Sequence, residues 1–203
     1  MTEAEKPTFV TRRIGSDDPA CGFRCGKHPL DDYFRRHALD NDQKNIGRTY
    51  VLDASDDDIA DGLPKIIGFY TLSMASAVSA DVSSAIGKKL PRYPMPVALV
   101  GRLAVDERAR GRRLGGTLLV DAMERVVAAA EIIACLGIIV DAKDQDAERF
   151  YKLRRASTAW LRVSDSASEI PPHATLANAQ NLGDSGLLLG AAVPLAMFAR
   201  RKK

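Results

Sequence analysis

Residues Leu99 to Val127, LVGRLAVDERARGRRLGGTLLVDAMERVV, leave few folds open: an apolar run enters a basic turn bearing glycines, and an amphipathic helix follows at once. The run Val97 to Val105 is apolar enough for a central strand, and Gly101 with Arg102 marks a bulge or splay in it. Beyond the turn, Leu114, Leu118, Leu119, Ala122 and Val126 recur at helical spacing and give the helix one face to lay on a sheet. Strand, tight turn, helix and strand in that order predict an α/β sandwich around a mixed sheet. The turn is also chemically loaded. Successive main-chain N–H groups over Arg110 to Gly116, together with the amides at the helix start, form a concavity that suits an anion such as a pyrophosphate. The plain alternative is an ordinary β–α connection with its arginines in solvent, and a glycine-bearing turn alone does not separate the two.

The flanking segments fill in the frame. Thr8 to Ile14 reads as a first strand. Pro29 suits the first position of a helix whose Leu30, Tyr33, Phe34 and Ala38 share a core-facing side. Two strands follow, Arg48 to Asp53 and Lys65 to Met74, and the acidic run Asp56 to Asp58 with Asp61-Gly62 reads as a solvated hairpin loop between them. Ala75 to Pro96 is irregular, with a short helix expected around Ser79 to Lys88 and a proline-rich connector after it. Cys135 to Val140 is a short buried strand in which Cys135 serves packing, and Asp144 to Lys152 is a charged helix carrying Phe150-Tyr151.

Composition sets the broad class. At 203 residues, 46% hydrophobic and 27% charged, the chain matches one globular domain, and its net charge of +3 with a pI near 8.8 permits anionic partners without specifying any. The amino terminus lacks the apolar core of a secretory signal, and three cysteines make no even disulfide framework, so a cytoplasmic protein is expected. Cys21, Cys25 and His28 lack a fourth ligand at sensible spacing, so no metal site is expected. The apolar run Leu187 to Ala199 contains Pro194 and is shorter than the ~20 residues of a spanning helix, which predicts a disordered or docked tail rather than a membrane segment.

A longer pattern runs from about Leu30 to Tyr151. In order it comprises Leu30-Asp31-Asp32-Tyr33, Arg48-Thr49-Tyr50-Val51, Ile67-Gly68-Phe69-Tyr70-Thr71-Leu72-Ser73, and Leu90-Pro91-Arg92-Tyr93-Pro94-Met95-Pro96-Val97. It continues through Arg102-Leu103-Ala104-Val105-Asp106 and the turn, then Val140-Asp141-Ala142 and Ala147-Glu148-Arg149-Phe150-Tyr151. This series resembles the GCN5-related N-acetyltransferases (GNAT), and within them the toxin branch of type II toxin–antitoxin systems. Arg110, Leu114 and Gly115 fit the family's Gln/Arg-x-x-Gly-x-Gly/Ala turn, while Arg113 stands where its first glycine usually lies.

The resemblance implies a GNAT fold, a mixed sheet flanked by helices, over residues 1–153. It also implies acetyl-CoA as cofactor, held by Leu103, Ala104 and Val105 on the strand and by Arg110, Gly111, Arg112, Arg113, Leu114, Gly115 and Gly116 in the turn. Tyr151 would be the general acid for the departing thiolate. The implied reaction is acetylation of the α-amine of aminoacyl-tRNA, with Arg92, Arg102, Arg108, Arg112 and Lys143 as candidate contacts to RNA or CoA phosphates. Basic side chains on a turn are as often merely solvated. A homodimer and a ribbon-helix-helix antitoxin are likewise implied. Two alternatives stay open: the same chemistry on a small amine or a protein, and an inactive relative. The family's Gly-Phe after the Phe-Tyr pair is missing, so residues 154–180 read as a divergent continuation of the domain, with an altered reading frame over Leu153 to Ile170 as one explanation, and 181–203 as an apolar and basic tail.

Overall fold

A computed structural model describes residues 10–78, 92–142, 144–157 and 196–201. The expected helix at Ser79 to Lys88, residue Lys143, and most of the divergent segment and tail lie outside the described residues. Six strands form one sheet in chain order: β1 (Thr11–Arg13), β2 (Arg48–Asp53), β3 (Ile66–Ala77), β4 (Met95–Val105), β5 (Gly137–Ala142) and β6 (Ala196–Arg201). The first four are an antiparallel meander, and β5 and β6 are each parallel to the strand before them, so the sheet is mixed as expected.

Helices cover both faces. On one lie α1 (His28–Arg36) and α2 (Ala38–Gln43), whose Tyr33, Phe34 and Ala38 bury against Val51, Ile66, Phe69 and Ala104. Pro29 occupies the first turn of α1, where its missing N–H breaks no helical bond. On the other face lie α4 (Leu114–Ala130) and α5 (Gln145–Ser157), after the short α3 (Asp56–Ala60) of the β2–β3 connection. The five positions expected to face inward from α4 are all buried, joined by Met123, over Ile67, Tyr70, Val100, Ile138 and Val140. Gly68 permits this close approach, because a Cβ there would sit 2.8 Å from a Leu118 methyl carbon.

Two elements differ from the sequence reading, and a third selects one of its alternatives, the docked tail. Asp56 to Asp58 are the first turn of α3 rather than an open loop: the Ser55 hydroxyl accepts from the Asp58 amide at 3.1 Å, and carboxylates at a helix N-terminus are favoured by its dipole. Cys135 lies just before β5, half-buried against the core. The end of the tail docks as β6, with Ala196 to Arg201 paired along Gly137 to Ala142. Among the described residues no helix is long and apolar enough to cross a membrane.

Candidate functional site

The site begins where β4 leaves β5. These strands pair only at Ala98, Leu99 and Val100, while on the other side β4 stays paired with β3 through Val105. The register steps from Thr71↔Arg102 to Leu72↔Val100, leaving Gly101 as the extra residue of a bulge. A bulge bends its strand and ends pairing, so the β5 side of β4 is open from Gly101 onward. The Asp106 amide donates to the Ile67 carbonyl at 2.9 Å, toward β3. Polar groups alternate along a strand, so those of Val105 and Leu103 turn to the open edge and those of Ala104 to β3. Leu103 and Val105 also pack half-buried against the α4 side of the core.

The turn follows immediately. A one-turn 3-10 helix (Glu107–Ala109) leads into Gly111 at φ +85° and Arg113 at φ +61°, and α4 starts at Leu114. Reversals of backbone handedness at neighbouring residues aim N–H groups into one concavity. No side chain caps the start of α4, and its first turn holds no carboxylate to repel an anion. Arg113 is the departure: the left-handed conformation costs a residue with a Cβ roughly 1–2 kcal/mol, and this arginine holds it at φ +61°, ψ +11°.

The far wall comes from α5. A Cβ on Gly115 would lie 3.4 Å from the Phe150 ring and 3.9 Å from Val105, so the start of α4, the end of β4 and the Phe150-Tyr151 pair converge. The Phe150 and Tyr151 rings meet edge to face at 5.2 Å. Tyr151 is buried, and burial, with a smaller contribution from Asp141, pushes its phenol up to about 12. The hydroxyl therefore keeps its proton throughout the neutral range. Asp144 caps α5 by accepting from the Ala147 amide at 2.8 Å, and it meets Lys27, just before α1, at 3.3 Å.

The arginines divide sharply. Arg108 forms a bidentate pair with Asp106 at 2.9 and 3.0 Å and also donates to the Gly22 carbonyl. Arg110 donates to the Cys25 carbonyl, and Arg112 pairs with Asp58 of α3, holding that carboxyl below its ordinary range. Arg102 lies 3.6 Å over the Tyr33 ring, a cation–π contact on the α1 side of the sheet. Arg92 precedes the start of β4, roughly 30 Å of strand from the turn, and is not brought to the site. Arg113 is exposed; its carbonyl accepts from the Gly116 amide at 2.9 Å, while its side chain makes no hydrogen bond or ion pair with any described residue.

Asp106 escaped the sequence reading. Fully buried, it accepts from the main-chain N–H of Arg24 at 2.8 Å and of Arg108 at 3.0 Å, while the Glu107 amide donates to the Arg24 carbonyl. It thereby ties the loop before α1 to the floor of the turn, a partnership across 82 positions that spacing does not reveal. Cys25 in the same loop is buried, its thiol pushed up to about 11 chiefly by burial, which suits packing. Among the described residues no cluster of His, Cys, Asp or Glu could hold a metal ion.

An amide-lined turn, an open strand edge and a buried phenol suit a long ligand with a diphosphate at one end and an amide-bearing arm. Relatives with this arrangement are known. The chain is 39% identical over 140 residues to the tRNA-acetylating toxin of Mycobacterium tuberculosis (strain ATCC 25618 / H37Rv), covering 69% of this chain and 79% of that one. Among solved structures, AtaT complexed with acetyl-methionyl-tRNAfMet superposes with a TM-score of 0.61 at 27% identity, covering 72% of this chain and 85% of that one. A mutant AtaT toxin bound to the C-terminus of the antitoxin AtaR and acetyl-CoA has the same fold, with a TM-score of 0.57 at 23% identity over 72% of this chain and 82% of that one. The model of the acetyltransferase (GNAT) family matches residues 16–154, a span that takes in the open β4 edge, the turn and Tyr151, and the chain belongs to that family.

Proposed function

We propose that this N-acetyltransferase is a toxin that acetylates the α-amino group of aminoacyl-tRNA and so blocks peptide-bond formation. The observation that carries the reading is the convergence of the open Leu103–Val105 edge, the turn that begins at Gly111 and the Phe150-Tyr151 pair around the start of α4. Acetyl-CoA, when bound, supplies the activated acetyl group as a thioester. The amides of Gly111 to Gly115 would hold its diphosphate, whereas that of Gly116, expected among them, donates to the Arg113 carbonyl at 2.9 Å; the main chain of Leu103 and Val105 would hold its arm and polarise the acetyl carbonyl. Tyr151 would hold a proton on Oη for the departing sulfur.

The acceptor follows from proton affinity. The α-amines of peptides titrate near 8, and esterification lowers the value further, so an aminoacyl ester offers a neutral nucleophile without a strong enzymatic base. A lysine, near 10.4, would need one. Arg102, stacked on Tyr33 and held by no carboxylate among the described residues, is the candidate cation for RNA phosphate, whereas Arg108 and Arg112 are held by carboxylates of the chain itself. A homodimer, restraint by a ribbon-helix-helix antitoxin and a cytoplasmic location complete the proposal, all supported by the resemblance to the toxin branch.

The test is incubation with labelled acetyl-CoA and a mixed pool of charged tRNA. Label is expected in RNA and released as N-acetyl amino acid by mild base, with none taken up by deacylated tRNA. Transfer only to small amines or proteins would overturn the acceptor, and no transfer to any amine would overturn the enzyme.

A further inference from the structure

We infer that Arg113 is a cofactor-specificity residue: its side chain is the phosphate clamp of this turn, acquired in exchange for the relaxed backbone that glycine would give. The inference rests on the acetyl-CoA reading of the site and concerns what this chain does differently within it. Four arginines lie in or beside the turn, and three have partners within the protein. Arg108 is held by Asp106 and the Gly22 carbonyl, Arg110 by the Cys25 carbonyl and Arg112 by Asp58. These contacts fasten the turn to the loop before α1 and to α3. Of the four, the Arg113 side chain alone has no partner among the described residues, at the position that immediately precedes α4.

Its backbone is where one would least place an arginine. At φ +61° the Cβ is strained, and any benefit to folding would have to come from side-chain contacts that the described residues do not make. The position nevertheless puts a permanent, forked cation at the rim of a concavity lined by N–H dipoles, beside a helix start free of carboxylates. A guanidinium matches a phosphate in bidentate geometry and is drawn to the same charge that the amides favour. Glycine here would bind phosphate by main chain alone, whereas Arg113 adds a charge-assisted bond. The shared ligand chemistry is a phosphate of the nucleotide end of CoA, either the diphosphate or the 3′-phosphate.

The experiment compares wild type with Arg113→Gly, Arg113→Asn and Arg113→Lys by calorimetric titration of CoA and dephospho-CoA, alongside thermal melts without ligand. Gly and Asn both accept the left-handed conformation, so these variants fold and are expected to melt at or above the wild-type temperature. Both should bind CoA about 10- to 100-fold more weakly, the range of a lost charged hydrogen bond, with Lys restoring part of the loss. A weakening that persists with dephospho-CoA assigns the clamp to the diphosphate, and one that disappears assigns it to the 3′-phosphate. If Arg113→Gly binds CoA as tightly as wild type, or more tightly, the inference is overturned while the enzymatic reading stands. A wild-type protein that takes up no CoA overturns both.

Discussion

Tyr151→Phe is expected to slow acetyl transfer by about 10²- to 10⁴-fold, the usual contribution of a positioned acid, with little change in KM for acetyl-CoA. The substitution removes one hydroxyl and keeps the ring, which lies in the core with only 5% of its surface exposed and contacts Phe150 edge to face. Folding and cofactor binding should therefore survive, which makes the variant a clean probe. Because burial pushes this phenol up to about 12, the wild-type rate should show no loss from its ionisation at neutral or mildly alkaline pH. Steady-state rates with charged tRNA across pH 6 to 9, for both proteins, are the measurement; equal turnover would reduce Tyr151 to a packing residue.

The largest effect on stability is expected at Asp106. Its alanine variant leaves the Arg24 and Arg108 amides and the exposed Arg108 guanidinium without their acceptor, for a cost of about 3 kcal/mol, discounted because Arg108 can turn to water. For a domain of this size that corresponds to roughly 6–12 °C in Tm. The effect should depend on pH. Burial is the strongest single influence on the carboxyl and pushes it up, yet the hydrogen bonds from Arg108 and the Arg24 amide together outweigh it and hold it below its ordinary range. A carboxyl lowered on folding stabilises fully above its unfolded value, near 3.9, and loses that contribution as pH falls through the lower folded value. Melting curves of the two proteins should thus differ widely at pH 7 and converge below pH 4. An unchanged difference in acid would show that the side chain acts by shape alone.

The architecture was legible wherever one physical signal dominated. Leu114, Leu118, Leu119, Ala122 and Val126 announced α4 because burial on one face imposes a 3.6-residue period, and all five are buried. Gly101 announced the parting of β4 and β5 because an extra residue in a ladder has few other uses. The acidic run at Asp56 misled, since three aspartates suit both an exposed turn and a helix start, and only the Ser55 cap decides between them. Arg108 and Arg112 read as free cations for the same kind of reason. Their partners, Asp106 and Asp58, lie 2 and 54 positions away, and nothing in a side chain's own type says whether it will find a carboxylate in the fold. The pairing of β6 with β5 was equally hidden, because strand partners joined through a long crossover leave no local pattern in either segment.

Among the described residues, three ladder pairs and one hydrogen bond beside them, from the Leu136 amide to the Pro96 carbonyl, sew the meander β1–β4 to β5 and β6. The sheet is thus less a single plate than two leaves joined along a short spine, with α4 laid over the join. A molecule that lies in the cleft and exchanges hydrogen bonds with Leu103 and Val105 would do the work of a missing strand, suturing the leaves together. Occupancy and folding then become one linked equilibrium, since whatever binds only the folded chain draws the population toward it. For a protein built this way, the supply of its ligand sets not only how fast it works but how long it stays intact.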